Sequence, residues 1–255
     1  MPKIMYATDY RKEFCNLFDL LCRSRSRYSA WSDLIHLIAY SISNAIDPIH
    51  KDRREEEYKR IASGYDRSDL DTISKLFAII IKALEQDPDQ DFLGSLYMQL
   101  GLGNQHAGQF FTPYHVSAMM AEINAGQAKQ QLEGQEYISV ADPCVGGGAM
   151  LIAFANVCKK NGIDYQNKVL FVGQDIDHTA GLMAYIQLSL LGCAGYIVIG
   201  NSLTDPLIGD PIFAPIHRET YITPTYAFPV WMLRRMTAQM ASDNNDKQKG
   251  NCSND

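Results

Sequence analysis

Apolar residues in the first hundred positions recur at helical spacing. Phe14, Leu17, Phe18 and Leu21 mark one stripe and Trp31, Leu34, Ile35 and Ile38 a second, the three-to-four-residue interval of helices that bury one face. Ser29 or Ser32 is a candidate cap for the second helix, which Asp47-Pro48 would end. Residues 51–60 mix both charge signs at spacings that suit a solvent-facing helix. Ser68-Asp69-Leu70-Asp71 reads as a helix start leading into Leu76, Phe77, Ile80 and Leu84, and Asp87-Pro88-Asp89 breaks that run. One more helix is expected over about 92–100, before Gly101-Leu102-Gly103. Together these place an all-helical N-terminal domain at 1–102.

The texture then changes. Residues 137–141, 169–173 and 196–200 are short β-branched and aromatic runs, and helical patterns over 149–160 and 179–191 separate them. Strands alternating with helices imply right-handed βαβ units and a parallel sheet, here within a second domain at 103–240. Residues 225–240, with Phe228, Trp231, Met232 and Met236, read as one amphipathic helix able to cover a sheet edge. Residues 241–255 are almost all polar and are expected to be disordered.

Composition narrows the class. Of 255 residues, 46% are hydrophobic and 20% charged, too apolar for a disordered chain and too broken by charge for a membrane protein. The apolar run at 77–81 falls far short of the roughly 20 residues that span a bilayer. Six scattered cysteines without a Cys-x-x-Cys pair argue against a disulfide framework or zinc ribbon, and the N-terminus lacks a signal-peptide pattern. A cytoplasmic location is expected. A net charge of −6 argues against a uniformly basic, phosphate-binding surface. Arg23, Arg25 and Arg27 form either a local basic patch or a solvated helix end.

The central chemical signal is Asp142-Pro143-Cys144-Val145-Gly146-Gly147-Gly148-Ala149-Met150-Leu151, running from a strand through a glycine turn into a helix. Glycines let backbone approach a ligand closely, and N–H groups at a helix start favour an anionic group. A dinucleotide fold would carry a third glycine where Leu151 stands, and Asp142 beside the turn suits a ligand with an ammonium or sulfonium charge. Asp175 closes the next strand, where a carboxylate can accept both hydroxyls of a ribose. Ile176 could pack on an adenine face, and Asp177 reads as a helix N-cap. Asn201, in Gly200-Asn201-Ser202-Leu203, either hydrogen-bonds a base edge or simply builds a turn. Upstream, Gly108-Gln109-Phe110-Phe111-Thr112-Pro113 offers Thr112 as an N-cap with Pro113 at the first helical position.

These four segments, in this order, resemble the motif set of the adenine-specific N6 DNA methyltransferases, above all the modification subunits of type I restriction systems. The resemblance covers about 100–206. It implies an α/β fold, a partial S-adenosylmethionine-dependent methyltransferase (Rossmann-like) parallel sheet preceded by an all-helical N-terminal domain. It implies S-adenosylmethionine as cofactor and no metal. Phe111 and Thr112 would meet the methionine end, Asp142, Gly146 and Gly148 the amino-acid part, Asp175 and Ile176 the ribose, and Asn201 the adenine; the family usually carries Asp at that last position. It further implies DNA as substrate, a specificity or restriction subunit as partner, and no membrane association.

The family's catalytic signature, Asn/Asp/Ser-Pro-Pro-aromatic, is missing from the sequence. Its nearest approach is Asp210-Pro211-Ile212-Phe213, so Asp210, Pro211 and Phe213 are the candidate catalytic residues, placed too soon after Asn201 for a normal fourth strand. Part of a seven-stranded sheet is expected to be absent. Two readings follow: an adenine-N6 DNA methyltransferase, or an inactive S-adenosylmethionine-binding accessory subunit. A NAD-dependent enzyme is disfavoured by Leu151.

Overall fold

A computed structural model describes residues 8–103 and 111–251, with side chains to Asp243. Five helices come first: α1 (Tyr10–Leu21), α2 (Arg27–Ser43), α3 (Lys51–Ala62), α4 (Arg67–Gln86) and α5 (Phe92–Gln99). After α6 (Tyr114–Gly134) come β1 (Ile138–Asp142), α7 (Ala149–Lys160), α8 (Tyr165–Lys168), β2 (Val169–Asp175), α9 (His178–Leu190), β3 (Ala194–Ile199) and β4 (Glu219–Ile222). The last helix is α10 (Pro229–Asn251).

Short polar side chains set the helix starts. Asp9, Ser26, Asp66, Asp91 and Asp177 each accept a hydrogen bond from the backbone N–H three residues on, a cap worth about 1 kcal/mol. The cap of α2 is thus Ser26, and Ser29 lies inside the first turn. Pro113 occupies the cap of α6 without a side-chain bond, so Thr112 is not its cap.

The helical layer is held by packed rings. Trp31 lies edge-on to Phe14 and Phe18 at 5.9 and 5.7 Å, and Phe14 meets Phe92 at 6.1 Å. This core continues without a break into α9, where every residue from Thr179 to Leu188 is buried. An all-round apolar helix must be covered on every side, and α2, α5 and the sheet do so.

The strands lie in the order β1-β2-β3-β4, with β1, β2 and β3 parallel. β4 runs antiparallel to β3, pairing Tyr196 with Ile222 and Ile199 with Glu219. The sheet is therefore mixed. Its last strand escaped the sequence reading because Glu219-Thr220-Tyr221-Ile222 is only four residues long. Gly195 lets β2 and β3 close, since a Cβ there would lie 1.7 Å from the Phe171 carbonyl oxygen. The face carrying Leu170, Val172, Ala194, Tyr196 and Val198 is sealed by Ile212, Tyr226 and Trp231. Trp231 donates from Nε1 to the Gln166 carbonyl at 2.9 Å.

Three sequence expectations change here. The 225–240 segment splits into a 3-10 turn at Pro224–Ala227 and α10, and it covers a sheet face, because Trp231 points at β2 and β3. Residues 241–251, expected to be disordered, continue α10, while 252–255 lie outside the described residues. Helix α3 is not wholly solvent-facing, since Arg54 is 1% exposed. Its guanidinium sits 3.9 Å above the Tyr221 ring, bonds Asp47 Oδ2 at 2.8 Å and Ser43 Oγ, and donates to the Thr220 carbonyl at 2.7 Å. Of the arginine patch, Arg25 lies over Tyr65 at 3.7 Å and Arg27 pairs with Asp19 at 2.7 Å.

Helix α2 meets the start of α9 through His36 Nε2 and His178 Nδ1, 2.8 Å apart. One nitrogen must donate and the other accept; His36 Nδ1 donates to the Ser32 carbonyl at 2.6 Å, so its Nε2 is the acceptor and that ring is neutral. Burial pushes His178 down to about 4 and lowers His36 in the same direction. Their stabilisation is thus complete above about pH 6.5 and is lost as pH falls toward 4, because the unfolded chain takes up those protons first. Urea-unfolding midpoints of wild type should drop more steeply from pH 7 to 5 than those of His178→Phe; parallel profiles would contradict a neutral pair. Arg54→Leu leaves Asp47 buried without its cation and should cost roughly 3 kcal/mol in the same assay. A cost below about 1 kcal/mol would mean that the ion pair does not anchor α3.

Candidate functional site

Parallel strands β1 and β2 end side by side, and both end in a carboxylate: Asp142 and Asp175. The chain leaves β1 through Pro143 to Gly148 and enters α7. Val145 N–H donates to the Gln174 carbonyl at 3.0 Å, and Gly148 N–H closes a turn on the Val145 carbonyl at 2.8 Å. Gly148 has φ +97°, and a Cβ there would meet the Ala184 backbone at 3.2 Å. The position requires glycine on both counts. As N-cap it offers no side-chain acceptor to the first turn of α7, so those N–H groups form an anion-favouring end.

Asp175 is turned toward this loop. Its Oδ2 accepts from Gly146 N–H at 2.7 Å and its Oδ1 from Asp177 N–H at 2.9 Å. Asp142 Oδ1 accepts from Cys144 N–H at 3.0 Å. Burial raises both carboxyls above the ordinary range; the backbone bonds oppose that rise, and the charge of Asp175 pushes Asp142 further up. Two like charges held together in a half-buried crevice favour a cationic ligand beside them.

Phe111 forms the opposite wall, with its ring 3.3 Å from where a Cβ of Gly146 would stand. That ring stacks on Tyr97 at 5.4 Å and 20°. Gly108, Gln109 and Phe110 lie outside the described residues. Thr112 lines the neighbouring groove between α6 and β1 with Asp142. Ile176 is 71% exposed beside Asp175. Asn201 follows Gly200, whose N–H donates to the Asp175 carbonyl at 2.8 Å. The Asn201 Oδ1 accepts from Leu203 N–H at 2.9 Å, so this side chain builds its own turn.

Asp210, Pro211 and Phe213 line a cavity of about 610 Å³ together with Asp142, Ser202 and Tyr196. The long connection from β3 to β4 therefore folds back over the strand ends and brings these residues to the side of Asp142. Asp210 Oδ1 accepts from Ile212 N–H at 3.0 Å, and the Pro211 carbonyl accepts from Tyr196 OH at 3.0 Å. Both groups are engaged within the chain. Arg218, which lines the same cavity, ties the segment to itself by reaching Asp205 Oδ2 at 2.6 Å.

Residues 89–222 match the N-6 DNA Methylase family. The chain belongs to that family. Among solved structures, this family member is similar to the methyltransferase subunit of a type I restriction-modification system from Streptococcus thermophilus, at 16% identity and a TM-score of 0.40. That match covers 82% of this chain and 43% of the other. A putative class I S-adenosylmethionine-dependent methyltransferase from Listeria monocytogenes is similar at 14% identity and a TM-score of 0.41, covering 81% and 58%. The methylase-family chain thus spans about half the length of these proteins.

Two polar residues behind the glycine turn, Asp91 and Gln187, were not found by motif reading. Asp91 reads as an ordinary helix cap, and the sole hint of Gln187 is one amide inside the apolar run of α9. The loop's geometry yields a direct test. Gly148→Ala should lower stability by roughly 1–3 kcal/mol, since it imposes a strained φ and presses on α9. Thermal unfolding would measure this; an unchanged midpoint would show that the loop can shift freely.

Proposed function

We propose that the chain binds S-adenosylmethionine at the joined ends of β1 and β2 and acts as an adenine-N6 DNA methyltransferase of a restriction-modification system. The observation that carries this reading is the convergence of Asp142, Asp175 and Phe111 on one glycine turn, in a member of the N-6 DNA methylase family.

The residues present fit that cofactor. The carboxylates supply negative charge for its ammonium and sulfonium groups, and the uncapped start of α7 suits its carboxylate. The Asp175 oxygens have lone-pair capacity beyond their backbone bonds, which leaves room for ribose hydroxyls. Phe111 and Thr112 would flank the methionine end, with Gly146 and Gly148 beneath it. Ile176, which is exposed, would offer an apolar surface to the adenine ring, and Asn201 would meet the edge of that ring. S-adenosylmethionine, when bound, supplies an electrophilic methyl group.

The target amino group needs acceptors to orient its lone pair. Asp210 and the Pro211 carbonyl are acceptors in the cavity that Asp142 shares, and Phe213, 36% exposed, supplies a ring on which an extruded base can stack. DNA as substrate, and a specificity or restriction subunit as partner, complete the proposal.

Calorimetry with S-adenosylmethionine tests the cofactor site. Asp175→Ala should weaken affinity by about 1.5–3 kcal/mol, the value of a charge-assisted contact; unaltered affinity would refute the assignment. For the reaction, DNA is incubated with radiolabelled cofactor and the protein, with and without candidate partner subunits. No label in DNA under any combination would reject the enzyme reading.

A further inference from the structure

Helix α5 and the glycine turn are tied together by a buried polar bridge. Asp91 is 3% exposed and Gln187 fully buried, although they lie far apart in sequence, at the start of α5 and inside α9. Gln187 Nε2 donates to Asp91 Oδ1 at 2.8 Å and to the Gly147 carbonyl at 2.8 Å. Its Oε1 accepts from Leu93 N–H at 3.0 Å, and Asp91 Oδ1 also accepts from Gly94 N–H at 2.8 Å. The packing is as close as the bonding. A Cβ on Gly147 would lie 3.2 Å from Gly94 Cα and 3.3 Å from both Asp91 carboxylate oxygens.

A glycine turn is the most pliable kind of backbone, because it lacks the side chains that restrict φ and ψ. Its use as a ligand cradle demands the opposite, since a loop that must be ordered on binding loses affinity to that ordering. Asp175 holds the turn from the ligand side through Gly146 N–H. Among the described residues, Gln187 supplies the one side-chain hydrogen bond to the Gly147 carbonyl, and it comes from α9.

We infer that Gln187, oriented by Asp91, is a positioning residue that fixes the Gly147 peptide and so pre-organises the turn for its ligand; this rests on the S-adenosylmethionine reading above. The helical layer thereby takes a direct part in the cofactor site, through the cap of its last helix. Neither residue belongs to the four segments that carry the family resemblance.

Hydrogen exchange of peptides spanning 143–150 in the ligand-free protein reads the positioning directly, and calorimetry with S-adenosylmethionine reads its consequence. Gln187→Met keeps the volume and removes the amide. It should speed exchange in the turn by about tenfold and weaken cofactor affinity by a similar factor, the loss of one net hydrogen bond. Combining Asp91→Asn with Gln187→Glu, read at pH 8, reverses donor and acceptor and keeps the acceptor for Leu93 N–H, while the ionised carboxylate has no proton to donate to Gly147. Its unfolding midpoint should recover toward wild type while exchange in the turn stays fast. Should Gln187→Met fail to fold, Gln187→Leu, which also removes the amide and is apolar like its neighbours in α9, serves in its place. Wild-type exchange in the single variant, or exchange in the double variant that recovers along with stability, would reduce the bridge to a purely structural role and overturn the inference. If wild-type protein binds no S-adenosylmethionine, the proposed function fails, and the exchange data still decide whether Gln187 positions the turn.

Discussion

Helix α9 is buried on every side, and most of the architecture is a consequence of covering it. One flank lies on the sheet, and the other requires the helical layer, so α2 and α5 are as much a part of the methylase-family core as the strands are. Polar groups on such a helix have to be satisfied by whatever packs against them. Gln187 finds Asp91, Leu93 N–H and the Gly147 carbonyl; His178, at the helix start, finds His36 and Tyr221. The burial requirement and the polar bookkeeping therefore select the same docking of helices on sheet.

That docking shapes the electrostatics of the crevice. Asp142 and Asp175 sit at the ends of paired strands, and burial makes both reluctant to ionise. Backbone N–H groups of Cys144, Gly146 and Asp177 offset part of the cost. Under the proposed function a cationic cofactor would relieve the remainder, so affinity for such a ligand and the cost of burying the two carboxylates have a common origin.

The connection from β3 to β4 does a different task. Residues 200–218 cross the strand ends and return as an antiparallel strand, held by Tyr196, Arg218 and the ring of Tyr226, whose hydroxyl donates to the Ile212 carbonyl at 2.6 Å. The Asp-Pro-Ile-Phe segment thereby arrives beside Asp142 although it follows no parallel strand of its own.

Much of this was legible in one dimension. Residues 149–160 coincide with α7 as observed, and the three parallel strands fall within two or three residues of their expected bounds, because period and glycine placement are local properties of the chain. The glycine turn, its flanking carboxylates and the family resemblance were likewise readable from adjacent residues. The sequence could not show that Arg54 leaves an otherwise solvated helix for Tyr221, that Trp231 seals a face, or that a four-residue strand runs antiparallel. Nor could it pair Asp91 with Gln187. Such contacts join residues far apart along the chain, and their energies depend on burial, which exists only once the layers have closed around α9.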